Sequence, residues 1–181
     1  MHLIKIEIHS EWRSGTGRGK GLYVDAETLR DNLGLPMLPG RQIKGLVRHA
    51  LESGAEWAGQ WDLNLVHTLC GVNSHQEQSS RFDTQAGKLS FTSARMGQEW
   101  IDYFTALQSQ NEQAKADAQK LVDALFKVRR QTAMDKNGLV VDHSLRSIEV
   151  CVPMTLYATV QGELSEEESQ ALSQALKLIR S

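Results

Sequence analysis

Asp25 lies between two groups of cations whose types and spacing suit phosphate chemistry. Upstream, Ser14-Gly15-Thr16-Gly17-Arg18-Gly19-Lys20-Gly21 is a glycine-rich loop carrying Arg18 and Lys20. Downstream, Arg41, Lys44 and Arg48 recur at helical spacing just after Pro39-Gly40. A helix N-terminus adds unpaired N–H groups and a positive dipole end, so cations placed there suit a phosphate backbone. A carboxylate beside a phosphodiester can position a metal-bound water or take a proton from a ribose 2′-hydroxyl. By residue chemistry alone the plainer reading of Asp25 is a surface acid or a cap for the turn after it. The plainer reading of the three helix cations is a solvated face. Asp31 and Glu27 are weaker alternatives to Asp25. Arg129, Arg130 and Arg146 complete the set of cations that could grip phosphates, contacts that position a strand without reading its sequence.

Other constellations are weaker. The loop at 14–21 lacks the spacing of a dinucleotide or P-loop fingerprint, so it reads as backbone that can approach a ligand closely. His67, Cys70 and His75 give three zinc-type ligands without an obvious fourth, which argues against a zinc site. His9 and His143 sit at a strand end and beside a turn, ordinary places for histidine. The two cysteines, Cys70 and Cys151, are far apart and read as buried thiols.

Composition bounds the class. At 181 residues, with 40% hydrophobic and 23% charged, the chain reads as one soluble domain over 1–181. The net charge of −2 does not suggest a nucleic-acid binder, but its distribution does. Residues 12–48 hold seven cations against three anions, while acids gather at Glu163, Glu166, Glu167 and Glu168. A local basic face is what a groove for one strand requires. No apolar run is long enough to span a membrane, and the N-terminus alternates instead of forming a signal-peptide block, so a cytoplasmic location is expected.

Hydrophobic periodicity sets the elements that must position these residues. Leu3 to His9 alternates as a half-buried strand. Ile43, Leu46, Val47, Ala50 and Leu51 form the apolar stripe of a helix from Arg41 to about Glu52. A short helix is expected around 62–69, and Lys88 to Ala94 alternates as a second strand. Residues 98–127 read as a helical insertion with a polar middle. Residues 129–150 read as an inserted hairpin turning at Asn137-Gly138. Val150 to Val160 reads as a strand, and Ser165 with Glu168 forms a capping box opening a last helix. The order begins a ferredoxin-like βαββαβ unit, an α+β fold.

Four segments, in order, resemble one family. Pro39-Gly40-x-x-Ile43-Lys44-Gly45-x-x-Arg48 resembles the Pro-Gly signature of the RAMP superfamily, the RNA-binding proteins of CRISPR systems. Leu69-Cys70-Gly71 stands where that family has Leu-Phe-Gly. Gly87-Lys88-Leu89-Ser90-Phe91-Thr92-Ser93-Ala94 is similar to its G-x-L-x-F-S-D-A strand. Thr132-Ala133-Met134-Asp135 through Leu145-Arg146-Ser147-Ile148-Glu149-Val150 resembles its T-A-I-D … L-R-x-x-E-x-V-P segment. The likeness is nearest to the backbone subunits of type III effector complexes of antiviral defence.

The resemblance implies an RNA-recognition-motif-like sheet with long insertions. It implies several copies, or a fusion, lining a guide RNA beside other RAMP subunits, with base pairing choosing the target RNA. It implies cleavage of that target at regular intervals by Asp25 with Mg2+ or Mn2+. The 129–150 hairpin would be a thumb flipping bases with Met134, Leu139 and Val140 as an apolar wedge. The alternative for those three is core packing. The chain ends where family members continue into a closing strand, so that strand is expected to be missing and either a longer protein or a partner would supply it. Two other readings stay open: a non-catalytic RNA-binding structural subunit, or a stand-alone repeat-RNA-processing endoribonuclease using His9 or Lys20.

Overall fold

The computed structural model describes residues 1–19, 24–72 and 85–179. The chain divides into two compact units. The first comprises Met1–Ile4, Pro39–Ala94 and Ala158–Ser181; the second comprises Lys5–Leu38 and Arg95–Tyr157. In order the elements are β1 (His2–Ile8), α1 (Gly40–Ala58), α2 (Leu63–Cys70), β2 (Ser90–Phe91), α3 (Gln98–Gln108), α4 (Glu112–Ala124), β3 (Phe126–Gln131), β4 (Arg146–Cys151), β5 (Met154–Gln161) and α5 (Glu166–Leu178). Among the described residues β1, β5 and β2 form a sheet in the order β1-β5-β2, and β3 pairs with β4 in a second sheet. The series β1-α1-β2-β5-α5, with the later strand central, is the ferredoxin-like arrangement expected from the sequence. The insertions between β2 and β5 are α3, α4 and the β3–β4 hairpin.

In the first unit α1 packs on α2, α5 and β2. Ile43, Val47, Ala50 and Leu51 are buried, as are Val66 and Leu69 of α2 and Ala171, Leu172 and Ala175 of α5. Each large side chain among them contributes roughly 1.5–3 kcal/mol through burial. Leu46, expected in the same stripe, is instead 46% exposed; it lines an apolar groove with Trp57, Leu178 and Ile179. The helix also runs to Ala58, six residues past its expected end, before Gly59 caps it in the left-handed region at φ 57°. Two of the sequence signatures meet here: Lys88 N–H donates to Thr68 O and Leu89 N–H to Leu69 O, at 3.0 and 2.9 Å.

Three expected elements are shorter or broken. The strand expected over 88–94 is regular only at Ser90 and Phe91, the two residues in ladder register with β5; Thr92 N–H still donates to Thr159 O at 3.0 Å. The expected strand over 150–160 is split, because β4 ends at Cys151 and β5 starts after Val152-Pro153; proline has no N–H to donate to a ladder. The helical insertion is two helices, since Asn111 caps α4 by accepting from the Ala114 N–H.

The capping box on α5 is present. Glu168 N–H donates to Ser165 Oγ, Ser165 N–H donates to Glu168 Oε2, and Lys88 Nζ lies 2.7 Å from Glu168 Oε1. Lys88, and then the Ser165 N–H, hold the Glu168 carboxyl below its ordinary 4.5. A depressed folded value means stability that is present above pH 4.5 and lost as pH falls through the folded value. Glu168→Gln is therefore expected to lower stability at neutral pH and to flatten the acid limb below pH 4.5, measured as the urea midpoint against pH. An unchanged acid limb would show that this contact adds nothing.

Candidate nucleic-acid interface

In the second unit the hairpin is built on a six-pair antiparallel register, from Phe126↔Cys151 to Gln131↔Arg146. Beyond it the two arms stay together through the Met134↔Val140 bridge, and Val141 N–H donates to Ala133 O at 2.9 Å. The tip turns at Lys136-Asn137-Gly138, with Gly138 at φ 78°. Asp135 organises that turn: Oδ1 accepts from the N–H groups of Asn137 and Leu139 at 2.8 and 2.9 Å. Those donors, Leu139 first, hold its carboxyl below the usual carboxylate range. The Asp of the T-A-x-D segment is thus a turn former.

Met134, Leu139 and Val140 are 68%, 66% and 59% exposed, so they are not core residues; Val141 and Leu145 are exposed beside them. A hairpin carrying several large apolar side chains in water has the chemistry of a wedge or of an interface.

Asp25 stands at the foot of this hairpin. Its N–H donates to Ser147 O at 2.8 Å, and Ser147 N–H donates back to Asp25 Oδ2 at 2.6 Å. Ala26 bridges Ile148 in parallel, and Glu149 N–H donates to Ala26 O. Residues 25–28 therefore run as an extra strip along the edge of β4. On the strip's other side Thr16 N–H and Glu27 N–H close the glycine-rich loop, donating to Glu27 O and Arg18 O. A Cβ added at Gly19 would stand 2.8 and 2.9 Å from the carbonyl oxygens of Val24 and Asp25, which is why the loop is glycine there. Asp25 is exposed, and Oδ1 has no hydrogen-bond partner among the described residues.

The expected cations divide three ways. Arg18, Arg130 and Arg146 are exposed in the same unit as Asp25. Arg130 is the register partner of Ser147, the residue that exchanges hydrogen bonds with Asp25. Arg129, on the opposite pleat face, is already engaged: Nε and Nη2 donate to Glu11 at 2.6 and 2.7 Å, and Lys127 joins the same carboxylate. Arg41 and Lys44 stand on the first turns of α1, the former exposed and the latter half-buried. Arg48 turns inward, with its side chain 14% exposed and its Nε on Glu52 at 2.8 Å. Arg48 and Lys44 lie near enough to Cys70 to oppose the upward push that burial gives its thiol. Arg41, Lys44 and Arg48 belong to the first unit; Asp25, Arg18, Arg130 and Arg146 belong to the second. Lys20 and His75 lie outside the described residues.

Sequence reasoning missed the groups that hold the site. Glu149 is buried, and its carboxylate accepts from Thr28 N–H at 3.0 Å and from Arg30 at 2.8 Å. The Arg30 guanidinium also stacks over Phe126, 3.6 Å from the ring centroid. The signal was present in the Leu-Arg-x-x-Glu spelling of Leu145 to Glu149, but nothing local pairs Glu149 with residues more than a hundred positions away. Glu11, which holds Arg129, carried no signal.

The sheet order and the inserted β3–β4 hairpin define a ferredoxin-like domain. The sequence model of the RAMP superfamily matches residues 5–180, and the chain belongs to that superfamily. Among curated proteins, none matches. Solved structures are similar in fold. One is a chain in the cryo-electron microscopy structure of type III-B Cmr-beta in the apo state, 13% identical over 98% of this chain and 89% of that one, with a TM-score of 0.62. Another is a chain in the cryo-electron microscopy structure of type III-B Cmr-beta bound to cognate target RNA, 11% identical over the same shares, with a TM-score of 0.64. Among the described residues no helix is long and apolar enough to cross a membrane.

Proposed function

We propose that this chain is a guide-RNA-binding backbone subunit of a cytoplasmic type III CRISPR ribonucleoprotein, and that it cuts bound target RNA at regular intervals through Asp25. The observation that carries the reading is the placement of Asp25. An exposed carboxylate is fixed at the foot of a hairpin whose arms carry Arg130 and Arg146 and whose outer part carries Met134, Leu139 and Val140. The family membership and the fold likeness to chains of type III-B Cmr-beta, one of them bound to cognate target RNA, support the same direction.

In this reading the hairpin enters the guide–target duplex, and its apolar side chains replace the stacking that a displaced base loses. The displaced nucleotide leaves the backbone bent beside Asp25. Arg18, Arg130 and Arg146 hold phosphates near it; Arg41, Lys44 and, with its exposed edge, Arg48 hold guide phosphates on α1, with Lys20 and Arg129 as further contacts. Among the described residues no three His, Cys, Asp or Glu side chains gather as a metal cage. One carboxylate together with RNA phosphate oxygens is nonetheless an ordinary way to hold Mg2+ or Mn2+, and Asp25 fits that role. Such an ion supplies charge neutralisation at the phosphate. Base pairing chooses the target, so the protein's contacts need not read sequence.

A second reading, a scaffold that binds guide RNA without cutting, is favoured by one fact: Asp25 Oδ2 already serves as the acceptor for Ser147 N–H. Cleavage of complementary target RNA by the assembled complex with Mg2+ separates the two. Regularly spaced fragments that vanish in Asp25→Ala support cutting; identical fragments in the variant, or none from wild type, leave the scaffold.

A further inference from the structure

Asp25 sits on a strip that is not a regular strand. Residues 24–30 touch their neighbours through isolated bridges, Ala26 to Ile148 and Gly15 to Thr28, with Arg30 to Pro36 beyond. Such a strip is prone to slip, and a slip matters here because side chains alternate with a period of two. Moving the strip by two residues would set Glu27 where Asp25 now faces Ser147. Something must therefore specify the register.

We propose that Glu149 is the positioning residue for Asp25. Its side chain is 8% exposed, out of reach of a bound RNA, and both carboxylate oxygens are committed to the strip. Oε2 accepts from Thr28 N–H and Oε1 from Arg30 Nη2. Thr28 Oγ1 donates back to Glu149 O at 2.9 Å, so Thr28 is tied to Glu149 through both its N–H and its hydroxyl. Arg30 carries the clamp across β4 by stacking on Phe126 of β3. With Thr28 pinned at one end, Asp25 falls on Ser147 at the other, and the carboxylate and the hairpin become parts of one rigid body.

This inference rests on the cutting role proposed for Asp25, and the test separates the two. Complexes assembled on guide RNA and saturated with target RNA are compared in single turnover for wild type, Asp25→Ala, Glu149→Gln and the doubly neutral Arg30→Gln/Glu149→Gln. Hydrogen exchange is followed over 24–31 and over the β3–β4 ladder. The double variant guards against a folding failure caused by a stranded Arg30 charge. Both Glu149 variants are expected to cut about 10- to 100-fold more slowly, the size that a misplaced catalytic group produces. Target affinity should be unchanged, and the 25–28 amides should exchange faster while the ladder keeps its protection. Wild-type cutting despite faster exchange would overturn the proposal. So would unchanged exchange over the strip, or loss of protection throughout the hairpin. Cutting by Asp25→Ala at the wild-type rate, or no cutting by wild type, would remove the reading beneath it, an outcome reported by an arm that leaves Glu149 intact.

Discussion

Asp25→Ala is expected to slow target cleavage by about a thousandfold in the assembled complex and to leave guide and target RNA bound, the effect of removing a positioned acid–base or metal-holding group. The expectation depends on separating two jobs of one side chain. Asp25 Oδ2 accepts from Ser147 N–H, whereas the backbone bond from Asp25 N–H to Ser147 O does not involve the side chain. The strip also keeps its Glu149 clamp in the variant. Alanine thus removes one exposed hydrogen bond to a carboxylate, worth about 3 kcal/mol at most, without unseating the strip. Asp25→Asn is the sharper variant. Its amide oxygen can still accept from Ser147 N–H, but it carries no charge and no basic oxygen. Cutting should fall almost as far as with alanine. Wild-type cutting by the asparagine variant, with or without a loss in the alanine variant, would make Asp25 a structural acceptor. Rates of fragment formation and filter-binding affinities, taken on the same preparations, give both numbers.

The second large effect concerns the fold. Gly40→Ala is expected to destabilise the chain by roughly 3 kcal/mol, the upper part of the usual range for overpacking. A Cβ there would stand 2.0 Å from Phe91 O, 2.8 Å from Phe91 C and 3.0 Å from Thr92 C, all backbone atoms of β2 or the residue after it. Backbone cannot rotate aside, so α1 must lift off β2, taking Ile43, Val47 and Leu51 partly out of the core. Typical domains hold only about 5–15 kcal/mol of net stability, so this is a large share. Gly45 is the internal control. It lies in the same helix, with nothing within 4 Å of an added Cβ and no unusual φ, so Gly45→Ala should stabilise by up to about 1 kcal/mol. Urea unfolding of the three proteins decides it. Equal midpoints for wild type and Gly40→Ala would mean that the contact between α1 and β2 is looser than the structure shows.

That contrast explains how much of the molecule could be read from its sequence. The Pro-Gly signature is legible because Gly40 is where a helix start crosses a strand at backbone distance. The stripe from Ile43 to Leu51, the capping box at Ser165 and Glu168, and the Asn137-Gly138 turn are local, and local rules found them. Elements failed where a break depended on one residue's partner: Asn111 restarting a helix, or Pro153 ending the reach of β4. The site was half legible. Asp25, Arg18, Arg130 and Arg146 were singled out by type and order, and they share one unit. The Glu149–Arg30–Phe126 clamp was not, since it joins residues 30, 126 and 149 through tertiary folding alone. Nor could spacing tell that Arg48 pairs with Glu52 and Arg129 with Glu11, so that two of the expected phosphate grips already hold a carboxylate partner within the chain.

The central claim is that one hairpin both displaces a base and presents the cutting carboxylate at its foot. It is tested most directly by placing 2-aminopurine at successive positions of the target strand in the assembled complex and mapping cut sites on the same targets. The account predicts a fluorescence rise at one regularly recurring position, cuts at a phosphate adjoining that position, and loss of both in Met134→Ser/Leu139→Ser/Val140→Ser. Cuts unrelated to the fluorescent positions, or undiminished cutting by the triple variant, would contradict it.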